Sequence, residues 1–233
     1  MKHLSEADLA NIEAAVRAAE ARTSGEIYCV VTPASSHYAE VPIAWAAAIA
    51  LLSPAILLAA GVHVSIPEFF STWSADMVSE AIEMSVRRAL IGTIALQAAL
   101  FLVTALIVEL PPVHRALTPG RLKRHRVRRR AAEQFLAKNL QQTRERTGVL
   151  IYVSLDERMA ELIADEGVAG HVEPHIWDQA MAALSEGLKR GDPAQGFGAA
   201  VGLCGEVLAA HFPAKPGDNP NELPDAVVML PRP

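Results

Sequence analysis

The chain of 233 residues contains only two cysteines, and this scarcity excludes a fold held together by several disulfides. Charged residues make up 20% of the sequence, somewhat below the usual quarter, whereas 51% of the residues are hydrophobic. This composition is the opposite of that of a disordered chain, which is therefore excluded. The excess of apolar residues belongs either to a large core or to helices that face lipid.

The sequence also lacks the short motifs of several enzyme classes. It has no Gly-x-Ser-x-Gly nucleophile elbow, no P-loop, no dinucleotide-binding fingerprint and no EF-hand spacing. Cys29 and Cys204 fall in apolar segments, and we interpret them as small core residues rather than reactive thiols. These absences leave no convergent nucleophile and base to identify from sequence.

Charge is missing altogether from two runs of twenty residues, 43–62 and 89–108. An α-helix of that length spans about 30 Å, the thickness of the hydrocarbon layer of a bilayer. Buried core helices are the alternative, but such helices usually keep a polar stripe and these runs have none. The pattern predicts transmembrane helices at 43–62 and 89–110 with a connector at 63–88. Pro54 then requires a serine or a neighbouring helix to satisfy the carbonyl that it frees, and we expect Gln97 to face the partner helix.

A basic block follows the second apolar run. Residues 111–130 carry no acidic residue and eight basic ones: Arg115, Arg121, Lys123, Arg124, Arg126, Arg128, Arg129 and Arg130. Such a block directly after a membrane helix is typical of a cytoplasmic flank, and it outweighs the opposing Arg87 and Arg88 of the connector. We therefore predict a two-span protein of the bacterial inner membrane with both termini in the cytoplasm.

The same block has two binding interpretations. Cytoplasmic lipids attract juxtamembrane arginine and lysine, so we expect Arg121, Lys123, Arg124 and Arg128 to contact anions or lipid headgroups. Binding of nucleic acid is not expected, because the block lacks the interleaved aromatic residues that stack on bases. The expected partners are the lipid bilayer and an unidentified protein, and the sequence leaves a homo-oligomer open.

The soluble parts flank the apolar runs and repeat one unit, a helix, a Thr/Gly turn and an apolar strand. In 1–42 a helix capped by Ser5 and Asp8 precedes a strand at 26–32; in 121–213 a helix at 121–146 precedes a strand at 149–155. Neither strand alternates, so both should be covered on both faces. We predict one α/β domain whose two strands share a sheet, split in sequence by the membrane hairpin, with an extended tail at 214–233.

Several stretches together resemble the TPM-domain family, and the tail is similar to its bacterial membrane-embedded branch. They are Thr23-Ser-Gly-Glu-Ile27, Gly148-Val-Leu-Ile-Tyr-Val-Ser-Leu-Asp-Glu-Arg158, Ala164-Asp-Glu-Gly167, Trp177, His211-Phe-Pro213 and Asn221-Glu-Leu-Pro224. The resemblance implies a small three-layer α/β/α sandwich with a mixed sheet. It favours a strand at 158–165, which the residues alone leave ambiguous between strand and helix. It also implies acid phosphatase activity or calcium binding, although the chain has Ala-Asp-Glu-Gly-Val where the secreted branch has a glycine-rich loop.

Carboxylates gather in the second soluble part. Asp156, Glu157, Asp165 and Glu166, with Glu173 nearby, could supply the oxygen ligands that Ca²⁺ or Mg²⁺ prefers. A solvated acidic loop is the alternative interpretation. His171 and His175 are four residues apart, but Pro174 between them disfavours a zinc pair on one helix. We expect Arg158 to form a salt bridge with Asp165 or Glu161.

Two functions of different classes remain. The first is a membrane-anchored, non-catalytic α/β module that binds a partner or supports the assembly or maintenance of membrane proteins. The second is a phosphatase dependent on Ca²⁺ or Mg²⁺ that acts at the membrane face. The acidic loop residues are the sequence support for the second, and the absence of a nucleophile motif favours the first.

Overall fold

The computed structural model describes residues 4–62, 75–172, 174–215 and 221–233. It divides into two compact units, one formed by Met1–His37 with Gly120–Pro233 and the other by Tyr38–Pro119. In chain order the elements are α1 (Glu6–Glu20), β1 (Glu26–Thr32), α2 (Glu40–Ala59), α3 (Ala75–Glu109), α4 (Pro111–Leu117), α5 (Gly120–Ala137), β2 (Gly148–Ser154), β3 (Met159–Ala164), α6 (Glu166–Ala169), α7 (Pro174–Arg190), α8 (Pro193–His211) and β4 (Val228–Met229).

A four-stranded mixed sheet forms the centre of the first unit, in the order β3-β2-β1-β4. β1 and β2 pair in parallel over their whole length, from Glu26 opposite Gly148 to Thr32 opposite Ser154. β3 pairs antiparallel with β2, and β4 pairs parallel with β1. The prediction that the two apolar strands share one sheet is therefore confirmed, and within 158–165 the residues Met159–Ala164 form a strand rather than a helix.

Helices cover both faces of this sheet. Successive strand residues point to opposite faces, so Ile27, Cys29 and Val31 pack in one cluster with residues of α1, α7 and α8. Tyr28 and Val30 pack in a second cluster with α5 on the other face. Every residue of β1 and β2 is buried, which explains why neither sequence alternates. The predicted three-layer α/β/α sandwich is present.

The helix before β2 ends earlier than predicted, and the expectation of a helix over 121–146 was wrong. α5 ends at Ala137, Asn139 adopts a left-handed conformation, and a 3-10 turn follows at Leu140–Gln142. Asparagine tolerates that conformation better than most residues. The turn places Leu140 in the core, and a Cβ at Gly148 would lie 2.6 Å from the carbonyl oxygen of Leu140. Glycine is therefore required where β2 begins.

The start of α1 follows its sequence signal closely. Ser5 accepts a hydrogen bond from the backbone of Asp8, and the carboxylate of Asp8 accepts one from the backbone of Ser5. This reciprocal arrangement satisfies two of the backbone N–H groups that a helix start leaves without partners. The C-terminal tail includes a fourth strand, Val228–Met229, which lies within the extended segment 214–233.

Within its described residues, the second unit contains two helices that are long and apolar enough to cross a membrane, at Glu40–Ala59 and Glu83–Glu109. In the most apolar stretch of the first helix only 28% of the residues are buried, and in that of the second helix only 6%. A soluble protein, by contrast, buries its core helices. α3 already begins at Ala75, so part of the expected connector at 63–88 is helical, and the bounds of the connector stay a prediction. The connector residues 63–74 lie outside the described residues.

One backbone carbonyl in α2 shows how the hairpin accommodates its proline. Pro54 has no N–H, so the carbonyl of Ala50, four residues earlier, loses its helical partner. The hydroxyl of Ser53 donates to this oxygen at 2.8 Å, and Nε2 of Gln97 donates to it from α3 at 3.2 Å. Both predicted devices, a serine and a neighbouring helix, are used.

α4 is tied to the beginning of α2 within the same unit. The indole N–H of Trp45 donates to the carbonyl of Leu117 at 3.3 Å, and Nε2 of His114 lies 3.2 Å from the carbonyl oxygen of Tyr38. Tryptophan with its N–H so engaged is common near membrane–water boundaries. These contacts hold together the chain segments that enter and leave the hairpin.

Candidate functional site

A buried polar cluster lies where β1 and β2 end. Glu157, which is 9% exposed, accepts a hydrogen bond from the backbone N–H of Ser35 at 3.0 Å and another from the hydroxyl of Ser154. The hydroxyl groups of Ser35 and Tyr152 lie 3.1 Å apart, and burial raises the pKa of Tyr152. In α/β sheets this edge is where ligands usually bind. Here, however, the carboxylate of Glu157 is bonded within the protein and joins the loop after β1 to the turn after β2.

The neighbouring residue Asp156 binds the C-terminal segment instead. Nη2 of Arg232 donates to Oδ2 of Asp156 at 2.8 Å. Arg158, in the same turn, has a left-handed backbone with φ of 52°. Its predicted salt bridges are wrong, because Asp165 pairs with Arg146 and Glu161 is 3.8 Å from Arg128.

The second predicted acidic pair caps α6. Asp165, 4% exposed, accepts a hydrogen bond from the backbone N–H of Glu166 at 2.7 Å, which caps the helix start. The guanidinium of Arg146 contacts both carboxylate oxygens of Asp165, at 3.2 and 3.4 Å, and lies 3.1 Å from Glu166. One arginine thus pairs with both carboxylates and fixes the turn before β2 to the turn after β3.

These two pairs do not form one metal site. β3 separates them, since Met159 lies beside the end of β2 and Ala164 beside its beginning. At 3.3–3.4 Å per residue, six residues place the pairs about 20 Å apart. Among the residues that the structure describes, no group of three or more His, Cys, Asp or Glu side chains could hold a metal ion. The expectation of a joint Ca²⁺ or Mg²⁺ site of four carboxylates is corrected accordingly, and metal binding by either pair alone stays a prediction.

The histidine pair has a different setting from a zinc site. Nδ1 of His171 lies 2.9 Å from the carbonyl oxygen of Gly167, and its ring packs edge-on against Phe212 at a centroid distance of 5.6 Å. Glu173, which lies between the two histidines in sequence, is outside the described residues. His171 therefore helps to attach the loop after α6 to the end of α8.

Both cysteines lie in the core, where we expected them. Burial raises the pKa of the thiol of Cys29 and raises that of Cys204 to about 12. Both thiols are therefore protonated at neutral pH, and a protonated thiol is a poor nucleophile and metal ligand.

A carboxylate cluster at the other end of β1 was not anticipated from sequence. Glu20, which is 9% exposed, accepts a hydrogen bond from the backbone N–H of Ile27 at 2.7 Å. Glu26 accepts hydrogen bonds from the backbone N–H groups of Glu222 and Leu223 at 3.3 and 3.1 Å. These contacts attach the C-terminal tail beside the beginning of β1. One feature of the sequence could have indicated this cluster: Glu26 is a charged residue at the start of an otherwise apolar strand.

Burial dominates the electrostatics of this cluster. Desolvation, with the added repulsion of Glu26 and Asp225, raises the pKa of Glu20 to about 8 against the opposing hydrogen bond from Ile27. Burial also raises the pKa of Glu26. Asp225 in turn receives a hydrogen bond from Nε of Arg17 at 3.0 Å. The cluster thus holds the tail through carboxyl groups, one of which binds its proton near neutral pH.

The basic residues singled out in sequence lie on α5. Arg121, Arg124 and Arg128 are exposed, and Lys123 is half-buried. On the same helix, Val127, Ala131, Gln134 and Phe135 are buried, and three of these four pack in the core cluster on the sheet. The residues that we expected to contact anions therefore lie on a helix that is fixed to the sheet, and three of the four are exposed to solvent.

Comparisons with known proteins agree with this architecture. Residues 115–207 match the family model of the TPM domain. Among solved structures, the chain is similar to the NMR structure of the BA42 protein from the psychrophilic bacterium Bizionia argentinensis, with a TM-score of 0.56 and 19% identity over 98% of this chain and 97% of that one. A likeness at this identity shows the fold alone. The comparison with curated proteins found no match.

Because Glu20 holds a proton in the folded state at pH values where an unfolded glutamate has lost it, the folded state should lose stability as pH rises. The loss should begin above the ordinary glutamate pKa of 4.5 and be complete above about pH 8. Glu20→Gln can still accept from Ile27 but carries no charge. We expect it to exceed the parent chain in stability by roughly 1–2 kcal/mol at about pH 9, since one pKa unit corresponds to about 1.4 kcal/mol and relaxation reduces the full value.

Thermal unfolding of the full-length chain in detergent at about pH 6 and about pH 9 measures this difference. Glu6→Gln, which removes an exposed carboxylate of the same helix, is the matched control and should leave the pH dependence of the parent unchanged. A Glu20→Gln protein with the same pH dependence as the parent would show that Glu20 is ionised in the fold.

Proposed function

This chain carries a TPM domain, and from that premise we propose that it is a membrane-anchored, non-catalytic α/β module. The module binds a partner protein or supports the assembly or maintenance of membrane proteins. Its anchor is the hairpin of α2 and α3, and its binding part is the unit formed by the two flanking segments of the chain. The exposed apolar surface of the hairpin is the observation that carries this proposal.

That surface is far too apolar for water. Large side chains of both helices are between about half and three quarters exposed; they include Ile43, Leu51, Leu52, Ile56, Leu58, Leu90, Ile91, Ile94, Leu102 and Leu106. Soluble monomers rarely expose a continuous apolar patch of this extent. A bilayer is the surrounding that such helices fit, since a helix satisfies its backbone groups internally and side chains satisfy the carbonyl of Ala50, which Pro54 leaves without its helical partner.

The basic segment supports a cytoplasmic orientation. Eight basic and no acidic residues occupy 111–130, directly after α3, and cytoplasmic flanks of membrane helices are enriched in this way. Two spans then put both termini and the α/β unit in the cytoplasm of a bacterium, with the connector outside. Arg87 and Arg88 near the other end of the second span oppose this orientation, but they are fewer.

The state of the carboxylates favours a binding role over catalysis. Asp156, Asp165 and Glu166 each pair with an arginine, and Glu157 accepts two hydrogen bonds inside the protein. A metal ion or a substrate proton would have to displace these partners. The internal contacts instead join segments distant in sequence, which is the role expected of structural polar groups.

Orientation is tested with single accessible cysteines, because the native Cys29 and Cys204 are buried. A membrane-impermeant thiol reagent on intact cells should label Ala75→Cys, at the start of α3, and should not label Pro233→Cys. Permeabilised cells serve as the control, since both variants should then react. Labelling of Pro233→Cys alone on intact cells would reverse the orientation, and labelling of both would exclude two spans.

Catalysis is tested with a phosphate monoester in the presence of Ca²⁺ or Mg²⁺. The proposal predicts that the full-length chain, Glu157→Gln and Glu166→Gln release phosphate at one indistinguishable background rate. Glu166 is a suitable position because its side chain is 83% exposed and its loss should leave the fold intact. Metal-dependent turnover by the parent chain that either variant loses would establish the alternative, a metal-dependent phosphatase.

A further inference from the structure

α5 carries three arginines in one line on its exposed surface. Arg121, Arg124 and Arg128 are spaced at i, i+3 and i+7, a spacing that places side chains on one side of a helix. The helix cannot rotate about its axis, because Val127, Ala131 and Phe135 are buried in the core cluster on the sheet. We call the three arginines the arginine line.

Most other guanidinium groups nearby have carboxylate partners on the same helix. Arg129 and Arg130 both bind Glu133, at 2.9 and 3.1 Å. The arginine line, by contrast, faces one acidic residue: Glu161 on β3 lies 3.8 Å from Arg128 and also interacts with Arg124. Among the described residues, no carboxylate lies within salt-bridge distance of Arg121 or Arg124. Three cations against one anion leave an uncompensated positive charge.

The position of the arginine line in the chain indicates which kind of ligand it binds. Arg121 follows the end of the second candidate span, Glu109, by twelve residues, and seven of these form α4. Such a short tether keeps the arginine line at a high effective concentration of lipid headgroups. The anionic lipids of a cytoplasmic leaflet attract basic side chains close to the surface. Nucleic acid fits less well, because α5 contains no Trp or Tyr and its one Phe, Phe135, is buried in the core.

We propose that the arginine line is a binding site for the phosphate groups of anionic lipids and holds the α/β unit against the membrane that its hairpin crosses. A guanidinium suits this ligand, because its planar set of donors can form two hydrogen bonds to one phosphate. The proposal rests on the proposed membrane anchoring. Glu161 competes with the lipid for Arg128 and so limits the strength of the contact.

The experiment uses the full-length chain in nanodiscs of neutral phosphatidylcholine or of phosphatidylcholine mixed with phosphatidylglycerol. A fluorophore on His125→Cys, an exposed position of α5, reports its distance from a quencher attached to lipid headgroups. Quenching should be stronger in the anionic discs and should fall to the neutral level at about 1 M salt, where the Debye length is about 3 Å.

Variants then identify the residues responsible. Each basic residue near the surface contributes about fivefold to membrane binding. Because Arg121→Gln/Arg124→Gln removes two of them, it should lower the ratio of docked to free domain in anionic discs by about thirtyfold. Lys189→Gln/Arg190→Gln removes the same charge from the end of α7 and should change nothing. Glu161→Gln should strengthen the quenching, which a merely structural ion pair would not do.

Each other outcome overturns the inference in a distinguishable way. Equal quenching in both kinds of disc, or an equal loss in the two double variants, would show that the arginine line does not bind anionic lipid. A chain that does not co-elute with nanodiscs of either composition would refute the membrane anchoring itself. Tight binding of a duplex oligonucleotide that Arg121→Gln/Arg124→Gln abolishes would assign the arginine line to nucleic acid.

Discussion

The parallel pairing of β1 with β2 is the interaction on which the rest of the soluble unit depends. β1 lies between β2 and β4, and its side chains enter both hydrophobic clusters. It nevertheless belongs to the short first segment of the chain, whereas every other strand follows the hairpin. Without it the sheet would be reduced to the β2–β3 pair and an isolated two-residue strand, which has no stability of its own.

Polar contacts secure this pairing at both ends. At the carboxyl ends, the Ser35–Glu157 hydrogen bond links the loop after β1 to the turn after β2. At the amino ends, the hydroxyl of Ser24 donates to Glu145 at 2.7 Å and the hydroxyl of Thr147 donates to the carbonyl of Ser24 at 3.1 Å. These buried or half-buried groups would be costly to leave without partners, so they fix the register of the two strands. The carboxylates that resemble a metal site are thus used to assemble a divided domain.

The insertion of the hairpin is compatible with this assembly for a topological reason. Parallel neighbouring strands cannot be joined by a tight turn and need a long crossover connection. The chain leaves the sheet at the end of β1 and returns through α5, so the connection was needed whatever its length. The entropy of closing a loop also grows only slowly with its length. A membrane anchor can therefore occupy this connection without altering the domain.

The sequence allowed the sheet partners, the three layers and the hairpin to be predicted, because each depends on a long apolar pattern. Elements without such a pattern were missed. The end of α5 is set by a left-handed Asn139 with no glycine or proline nearby, and β4 has two residues among prolines. The first turns of α3 carry charges that hide a helix from a search for apolar runs.

The candidate site was predictable in composition but not in geometry. Asp156 and Asp165 are only nine residues apart, and that nearness in sequence suggested one acidic loop. Because a β-strand lies between them, the two residues are at opposite ends of the sheet. The partners of these residues, Arg232 and Arg146, come from other parts of the chain. No periodicity or spacing contains such contacts, because they follow only from the complete fold.

Hydrogen exchange of the full-length chain in detergent tests the central claim most directly. If β1 and β2 form one cooperative sheet, the amides of 27–31 and 149–153 should open with the same free energy, that of unfolding the whole α/β unit. Amides of 27–31 that exchange much faster, while those of 149–153 remain protected, would contradict the account. Such a result would mean that the second segment folds without the first and that β1 is only an accessory strand.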